Sequence, residues 1–395
     1  MARRNLTVAL VTETYAPEVN GVAMTLGRLV AGLAERGHRP LIARPRQKQE
    51  VADTLPDGQL LTPGLPIPGY PELRFGLPAG ERLRRQWLQE RPDVVHIATE
   101  GPLGLAALAA ARRLDLPVLS TFHTNFDIYS RHYGVGWLRG GIERYLRWFH
   151  NRTLATLVPT SALATDLTRR GYRNVRVLAR GVDTGLFRPE RRSVVLRADW
   201  EAGGADLVVL CVGRLAAEKN HRLALRAFDA IRARQPNARM VCVGDGPLRA
   251  SLGRDHPRCR FVGMQQGAEL AAHYASADLF LFPSQSETFG NVVCEALASG
   301  LPTVAYDLAA AGELIADGGN GWRVPAGAED AFIAAACRAA ANPERLAAMR
   351  PACAASVAHL AWERIHDGYA EQLGLAIARH ERACSNLEHI RFAPD

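Results

Sequence analysis

The chain has no C-x-x-C pair, no D-x-D sequence and no apolar run approaching the roughly 18 residues that a membrane-spanning helix needs. Each absence removes a class of explanation. The seven cysteines, Cys211, Cys242, Cys259, Cys294, Cys337, Cys353 and Cys384, are odd in number and scattered, so they are expected as reduced thiols of a cytoplasmic protein. Met1 to Asn5 leads directly into the strand-like Leu6 to Val11 with no long apolar stretch and no small-residue cleavage site, which argues against a secretory leader. No fixed short period and no low-complexity segment appears, and solenoid and disordered readings fall away.

What is present is a 395-residue chain, 48% hydrophobic and 22% charged, the balance of a soluble globular protein and a length suited to two α/β domains. Its net charge of +8 is uneven: residues 1–190 carry 26 Lys/Arg against 17 Asp/Glu, whereas the remainder carries 22 against 23. A basic first half suits an anionic lipid, a phosphorylated acceptor or nucleic acid, and equally suits an arginine-rich solvated surface.

Short apolar runs alternate with helical patterns at Leu6 to Thr12, Asp93 to Ala98, Pro117 to Phe122, Ala155 to Pro159 and Val175 to Ala179. After the polar stretch Arg188 to Ala205 the pattern restarts at Leu207 to Val212, Met240 to Val243, Arg260 to Val262, Asp278 to Pro283 and Pro302 to Tyr306. Strands alternating with helices build parallel sheets. The reading is α/β throughout: a first doubly wound domain over 1–187, a second over 188–360, and a C-terminal helical segment over 361–395. Such sheets bind ligands at the carboxyl ends of their strands, so functional residues belong just after apolar runs.

Four clusters sit there. Glu287-Thr288-Phe289-Gly290-Asn291-Val292-Val293-Cys294-Glu295 follows Leu279 to Phe282, with two carboxylates eight residues apart and a helix predicted to begin near Phe289. The free amides of such a helix start favour a diphosphate or a sugar hydroxyl network. Gly213-Arg214 and Lys219-Asn220 follow Leu207 to Val212, placing two fixed cations where a leaving diphosphate would need them. In the first half, the loop Thr14 to Val22 follows the first strand and contains Gly21, which permits close backbone approach. His123 and Asp127 follow Pro117 to Phe122.

These motifs, G-R-x(4)-K-N at Gly213 to Asn220, V-G-x-G-P at Val243 to Pro247 and E-x-F-G-x(4)-E-A at Glu287 to Ala296, resemble those of the retaining glycosyltransferases of family 4. The resemblance covers nearly the whole chain. It implies the GT-B fold, two Rossmann-like doubly wound parallel-sheet domains facing across a cleft, with the helical segment 361–395 crossing back onto the first domain. It also implies transfer of a hexose from a nucleoside-diphosphate sugar, GDP-mannose or UDP-hexose, to a lipid or glycan acceptor with retained configuration. The Thr12 to Val22 segment looks like the branch holding mannosyltransferases and enzymes that glycosylate diacylglycerol.

By that resemblance Arg214 and Lys219 bind the diphosphate, Glu287 the sugar hydroxyls and Glu295 the ribose. Phe289, Gly290 and Asn291 form the amide-rich helix start, and Val262 and Met264 lie at the strand end whose main chain reads the base. Gly21 faces the diphosphate from the first domain, His123 contacts the sugar near its reacting carbon, and Asp127 orients the acceptor or the histidine. The family is thought to react on one face of an oxocarbenium-like sugar, the departing phosphate oxygen taking the acceptor proton. With no D-x-D and no carboxylate pair set as in double-displacement glycosidases, no metal and no cofactor are expected.

Two features stand apart. Where many relatives carry G-G-x-x-E, this chain reads Asp307-Leu308-Ala309-Ala310-Ala311-Gly312-Glu313, which leaves the donor sugar open. An amphipathic helix is predicted between Gly134 and Arg152, burying Leu138, Ile142, Tyr145, Leu146 and Phe149. Arg144, Trp148 and Arg152 fall on another of its faces, suited to peripheral contact with an anionic membrane. The alternative to an enzyme is a non-catalytic nucleotide-sugar-binding or regulatory protein on the same fold. No lysine setting for pyridoxal phosphate and no nucleic-acid module supports a phosphorylase or a nucleic-acid binder.

Overall fold

The structure is a computed structural model that describes residues 5–18, 20–47, 50, 58–67, 70–123 and 139–391. The chain divides into two compact units, one formed by Met1–Ala179 with Trp362–Asp395 and the other by Arg180–Ala361.

The first unit holds β1 (Thr7–Val11), β2 (Arg39–Pro45), β3 (Gln59–Thr62), β4 (Gly64–Ile67), β5 (Tyr70–Gly76), β6 (Val94–Ile97), β7 (Val118–Thr121), β8 (Ala155–Val158) and β9 (Val175–Val177). Among the described residues its main sheet runs β3-β2-β1-β6-β7-β8-β9, every pair parallel, with β4 and β5 as a separate antiparallel hairpin. The order reverses between β1 and β6. The chain therefore winds outward in both directions from that pair, which brings the loops after β1 and β6 to the same carboxyl edge of the sheet.

β1, β6, β7 and β8 are short apolar runs buried on both faces, the composition a helix-covered parallel sheet requires. β2 escaped the sequence pattern because Pro40, Arg44 and Pro45 interrupt its apolar residues. Arg44 is nonetheless buried, its guanidinium engaging both oxygens of Glu50 and accounting for its own charge.

The helix Trp362–Arg391 packs on this unit, against the helix Gly21–Glu35 and near β6 and β7. Gly32 makes the helix contact possible: a Cβ there would stand 2.2 Å from the His366 ring. Arg36 ties the same junction with 3.0 Å to Asp367 and 2.9 Å to the Glu363 carbonyl. Deeper in, His96 of β6 lies between Tyr369 and Thr121, 2.6 Å from each hydroxyl, and burial lowers its pKa to about 3, so the ring is neutral.

The amphipathic pattern expected in this unit is a helix over Arg139–His150. Leu146 and Phe149 are buried and Ile142 and Tyr145 partly so, while Arg144, Trp148 and Arg152 are exposed. Arg152 stacks 4.1 Å above the Trp148 ring. Leu138 lies outside the described residues.

The second unit holds β10 (Val208–Val212), β11 (Arg239–Val243), β12 (Arg260–Gly263), β13 (Leu279–Phe282), β14 (Thr303–Tyr306) and β15 (Gly321–Val324). Its described sheet is parallel in the order β12-β11-β10-β13-β14-β15, a doubly wound Rossmann arrangement reversing between β10 and β13. The helix His221–Arg232 turns Leu223, Ala224, Ala227, Phe228 and Ile231 inward at helical spacing, and Phe332 of the helix Glu329–Ala340 joins them in one core. The segments entering and leaving this unit run side by side, with Val182 bridged to Ala361 and its N–H donating 2.9 Å to the Leu360 carbonyl. No helix among the described residues is long and apolar enough to cross a membrane.

Tyr369→Phe tests how the C-terminal helix is held to the first unit. The variant leaves one buried imidazole nitrogen of His96 without its partner, which is expected to cost about 1–3 kcal/mol and lower the urea midpoint. An unchanged midpoint contradicts that role.

Candidate functional site

The two motif-bearing loops of the second unit meet at its switch point. β10 and β13 are neighbours, with Val209 opposite Leu279 and Leu210 opposite Phe280. The loops that follow them are stitched together by main chain: the Gln285 N–H donates 3.0 Å to the Glu218 carbonyl, and Ser284 Oγ lies 3.5 Å from the same oxygen. Lys219 ends a single 3₁₀ turn, Ala217–Lys219, and the left-handed Asn220 (φ 52) redirects the chain into the next helix. That turn aims the Lys219 ammonium at Glu287, Nζ to Oε1 2.5 Å, with Phe282 beneath it at 5.9 Å from the ring centre.

Both members of this pair are largely shielded, at 21% and 12% side-chain exposure, which separates it from an ordinary solvated ion pair. Arg214 is 54% exposed and lies 3.0 Å from Glu218. A surface contact of that kind is weak, so the guanidinium is readily redirected to a stronger anion.

Beneath the loop, His221 accounts for both ring nitrogens, at 3.0 Å to the Arg214 carbonyl and 3.3 Å to Cys211 Sγ. The V-G-x-G-P segment packs backbone against backbone here. A Cβ on Gly244 (φ 135) would stand 2.0 Å from the Gly213 oxygen, and the Leu215 N–H donates 2.8 Å to the Asp245 carbonyl. The Gly244 N–H in turn donates 2.8 Å to the Gly263 carbonyl, linking the end of β12 to the same loops. At that end the Val262 carbonyl accepts from Gln265 Nε2 at 3.1 Å, and the Met264 side chain is 62% exposed.

The helix after β13 spans Asn291–Ala298 and begins two residues later than its sequence suggests, because Gly290 adopts a left-handed conformation (φ 95) as its cap. Phe289 falls before the cap, its side chain 2% exposed in the core and its carbonyl accepting from the Ala310 N–H. No side chain caps this helix start, so its first amides are available to an anion. Glu295 sits about one turn in. Burial pushes its carboxyl up to about 7, opposed by the hydrogen bond that Tyr274 donates to Oε2 at 2.9 Å. Nothing in the sequence signalled Tyr274, which reaches Glu295 from a different helix, Gly267–Ser276.

Around this cluster, Asn220 Nδ2, Asn291 Oδ1 and Arg180 Nε and Nη2 are buried without hydrogen-bond partners among the described residues. Such atoms are costly when unsatisfied. In the loop after β14, Ala309 stands left-handed (φ 48), a conformation that favours glycine.

In the first unit, Gly21 opens the helix Gly21–Glu35, whose cap is the Asn20 side chain, accepting from Val22 N at 3.1 Å and Ala23 N at 2.9 Å. Asn20 and Glu18 both hydrogen-bond Thr14, so the loop after β1 is internally braced. Glu13 joins it to the loop after β6, accepting from Leu103 N at 3.0 Å, and burial raises its carboxyl to about 7. His123 is half-buried just beyond β7, and Asp127 lies outside the described residues. Among the described residues the trio Asp115, His380 and Cys384 has ligand atoms within 4.8 Å of one another, and none of the three is a motif residue.

The Glu295 carboxyl holds its proton longer folded than unfolded, so its contribution to stability is complete below about pH 4.5 and disappears as pH rises through about 7. Glu295→Gln removes that dependence. Its melting temperature relative to wild type is expected to rise between pH 5 and pH 8, and a pH-independent difference contradicts the assignment.

A family model described as Glycosyltransferase Family 4 matches residues 19–186, and one described as Glycosyl transferases group 1 matches residues 206–342. The chain is 32% identical over 382 residues to a GDP-mannose-dependent alpha-mannosyltransferase of Corynebacterium glutamicum, covering 95% of this chain and 89% of that one. It is 30% identical to an alpha-monoglucosyldiacylglycerol synthase of Streptococcus pneumoniae, covering 78% and 73%. Among solved structures, Anabaena Alr3699/HepE in complex with UDP superposes with a TM-score of 0.74 at 19% identity, covering 93% of this chain and all of that one. With the paired loops, the two doubly wound sheets and these likenesses together, the chain belongs to glycosyltransferase family 4 and is a glycosyltransferase of the GT-B fold.

Proposed function

We propose that this protein is a retaining hexosyltransferase that moves a hexose from a nucleoside-diphosphate sugar, GDP-mannose or UDP-hexose, onto a lipid or glycan acceptor without a bound metal. The observation that carries the reading is the shielded Lys219–Glu287 pair at the switch point of the second unit, beside the uncapped helix start at Asn291. The names of the mannosyltransferase and glucosyldiacylglycerol relatives support a hexose donor and a lipid acceptor.

In this reading Arg214, Lys219 and the amides after Gly290 take the charge of the departing diphosphate as the bond from the sugar's anomeric carbon to phosphate oxygen breaks. Glu287 accepts hydrogen bonds from the sugar hydroxyls and Glu295 from the ribose. The acceptor oxygen bonds to the same face of the sugar, its proton passing to the departing phosphate oxygen, so no protein nucleophile is consumed. Gly21, His123 and Asp127 of the first unit serve the donor and acceptor.

Thermal-shift measurements with GDP, UDP, GDP-mannose and UDP-glucose test the donor site. One base series is expected to raise the wild-type melting temperature, and Lys219→Ala to lose most of that gain. Lys219→Ala and Glu287→Ala are each expected to lower kcat/KM about 10²–10³-fold while remaining folded, and chelators to leave turnover intact. Near-normal activity in both variants overturns the assignment.

Peripheral membrane contact through Arg144, Trp148 and Arg152 belongs to the same reading. Co-sedimentation with phosphatidylglycerol vesicles at low salt, weakened by Trp148→Ala and by added salt, is the expected outcome. Indifference to anionic vesicles removes that part.

A further inference from the structure

Arg180 lies just inside the second unit, two residues before the Val182 backbone contact with Leu360. Its sequence setting, Arg180-Gly181-Val182-Asp183, reads as a turn. Its side chain does not behave like one from a turn. The residue is 6% exposed, and Nε and Nη2 are closed off from solvent with no hydrogen-bond partner among the described residues. Burial pulls the guanidinium's pKa down to about 10, still charged at neutral pH, and Glu287 is the foremost group that favours the charge. Cys294 is the other group in electrostatic contact, and burial raises its thiol far enough that it is no anion at neutral pH. Glu287 is therefore the charged partner of Arg180.

Glu287 thus has two cations beside it and hydrogen-bonds to one. Lys219 Nζ holds Oε1 at 2.5 Å, while Nε and Nη2 of Arg180 have no hydrogen-bond partner among the described residues. A buried guanidinium with two unmade hydrogen bonds costs free energy in this state of the protein. The cost is recovered in any state where the carboxylate turns to it, because a guanidinium edge and a carboxylate match in shape and charge. The reading of the site supplies such a state. A diphosphate draws Lys219 to itself, and a shielded carboxylate left without a partner loses its orientation.

We propose that Arg180 is the positioning residue for Glu287: when the donor's diphosphate engages Lys219, the Glu287 carboxylate passes to Nε and Nη2 of Arg180, which hold it aimed at the sugar hydroxyls. The inference rests on the donor-site reading above and extends it to a residue outside the three motifs. Arg180 does not touch the donor. It acts through Glu287, and its loss is felt only where Glu287 works.

A double-mutant cycle separates this role from a structural one. Wild type, Arg180→Met, Glu287→Gln and the double variant are assayed for transfer with the nucleotide sugar that gives the largest thermal shift. Arg180→Met is expected to lower kcat about tenfold or more with donor KM changed less than about threefold, and to cost less than about threefold in the Glu287→Gln background. A loss of equal size in both backgrounds overturns the proposal, because a packing defect or a direct contact with donor does not depend on Glu287. Arg180→Gln, which keeps N–H donors and removes the charge, gives the same comparison should the methionine variant fail to fold. The free nucleoside diphosphate is measured on the same proteins. Stabilisation retained by Arg180→Met and lost by Lys219→Ala leaves the donor reading standing whatever the cycle shows, whereas a wild type that no nucleoside diphosphate stabilises overturns both.

Discussion

Strands β10 and β13 lie side by side and parallel while the chain leaves them in opposite directions, and the loops that part there carry Arg214, Lys219 and Glu287. Parallel pairing commits both loops to the same edge of the sheet, and opposite winding keeps their following helices from closing over it. Residues 68 positions apart in the chain consequently share a hydrogen bond of 2.5 Å. The surrounding backbone serves that junction, through the Gly213–Gly244 approach below it and the Glu218–Gln285 bond across it.

Charge is managed differently at each position around the junction. Lys219 and Glu287 neutralise one another out of solvent, Arg214 leans on Glu218 at the surface, and Glu295 has its proton affinity raised by burial. Arg180 is the extreme case, charged and enclosed with hydrogen bonds unmade. A site optimised for the stability of the empty protein would carry apolar residues at several of these places. Retaining them leaves a pre-arranged set of positive charges and amides at the carboxyl edge of this sheet, of the kind that receives an anion.

The first unit repeats the architecture with different chemistry. Its switch point, between β1 and β6, is braced by Glu13 reaching the start of the helix Pro102–Arg113, and the loop after β1 is tied to itself through Thr14, Glu18 and Asn20. These are polar contacts that define loop shape, with Arg44 in electrostatic contact with Glu18. The C-terminal helix completes this unit, held by Tyr369 on His96 and by the close passage of Gly32 against His366.

By itself the sequence determined the α/β class, most strands and the motif residues. Strands such as β10 and β13 are unbroken apolar runs because both faces are covered, and the motifs are local, each beginning at a strand's end or within five residues of it. It was silent wherever the deciding contact is distant. β2 is broken by two prolines and an arginine that only its partner Glu50 explains, and the start of the helix at Asn291 was moved by the left-handed Gly290. Tyr274 beside Glu295 and Arg180 beside Glu287 are separated in the chain by 21 and 107 positions, and no spacing rule reaches that far. Tertiary structure decided those pairings, because burial and opposite charge act through space and a linear pattern records only what a residue's own helix or strand requires of it.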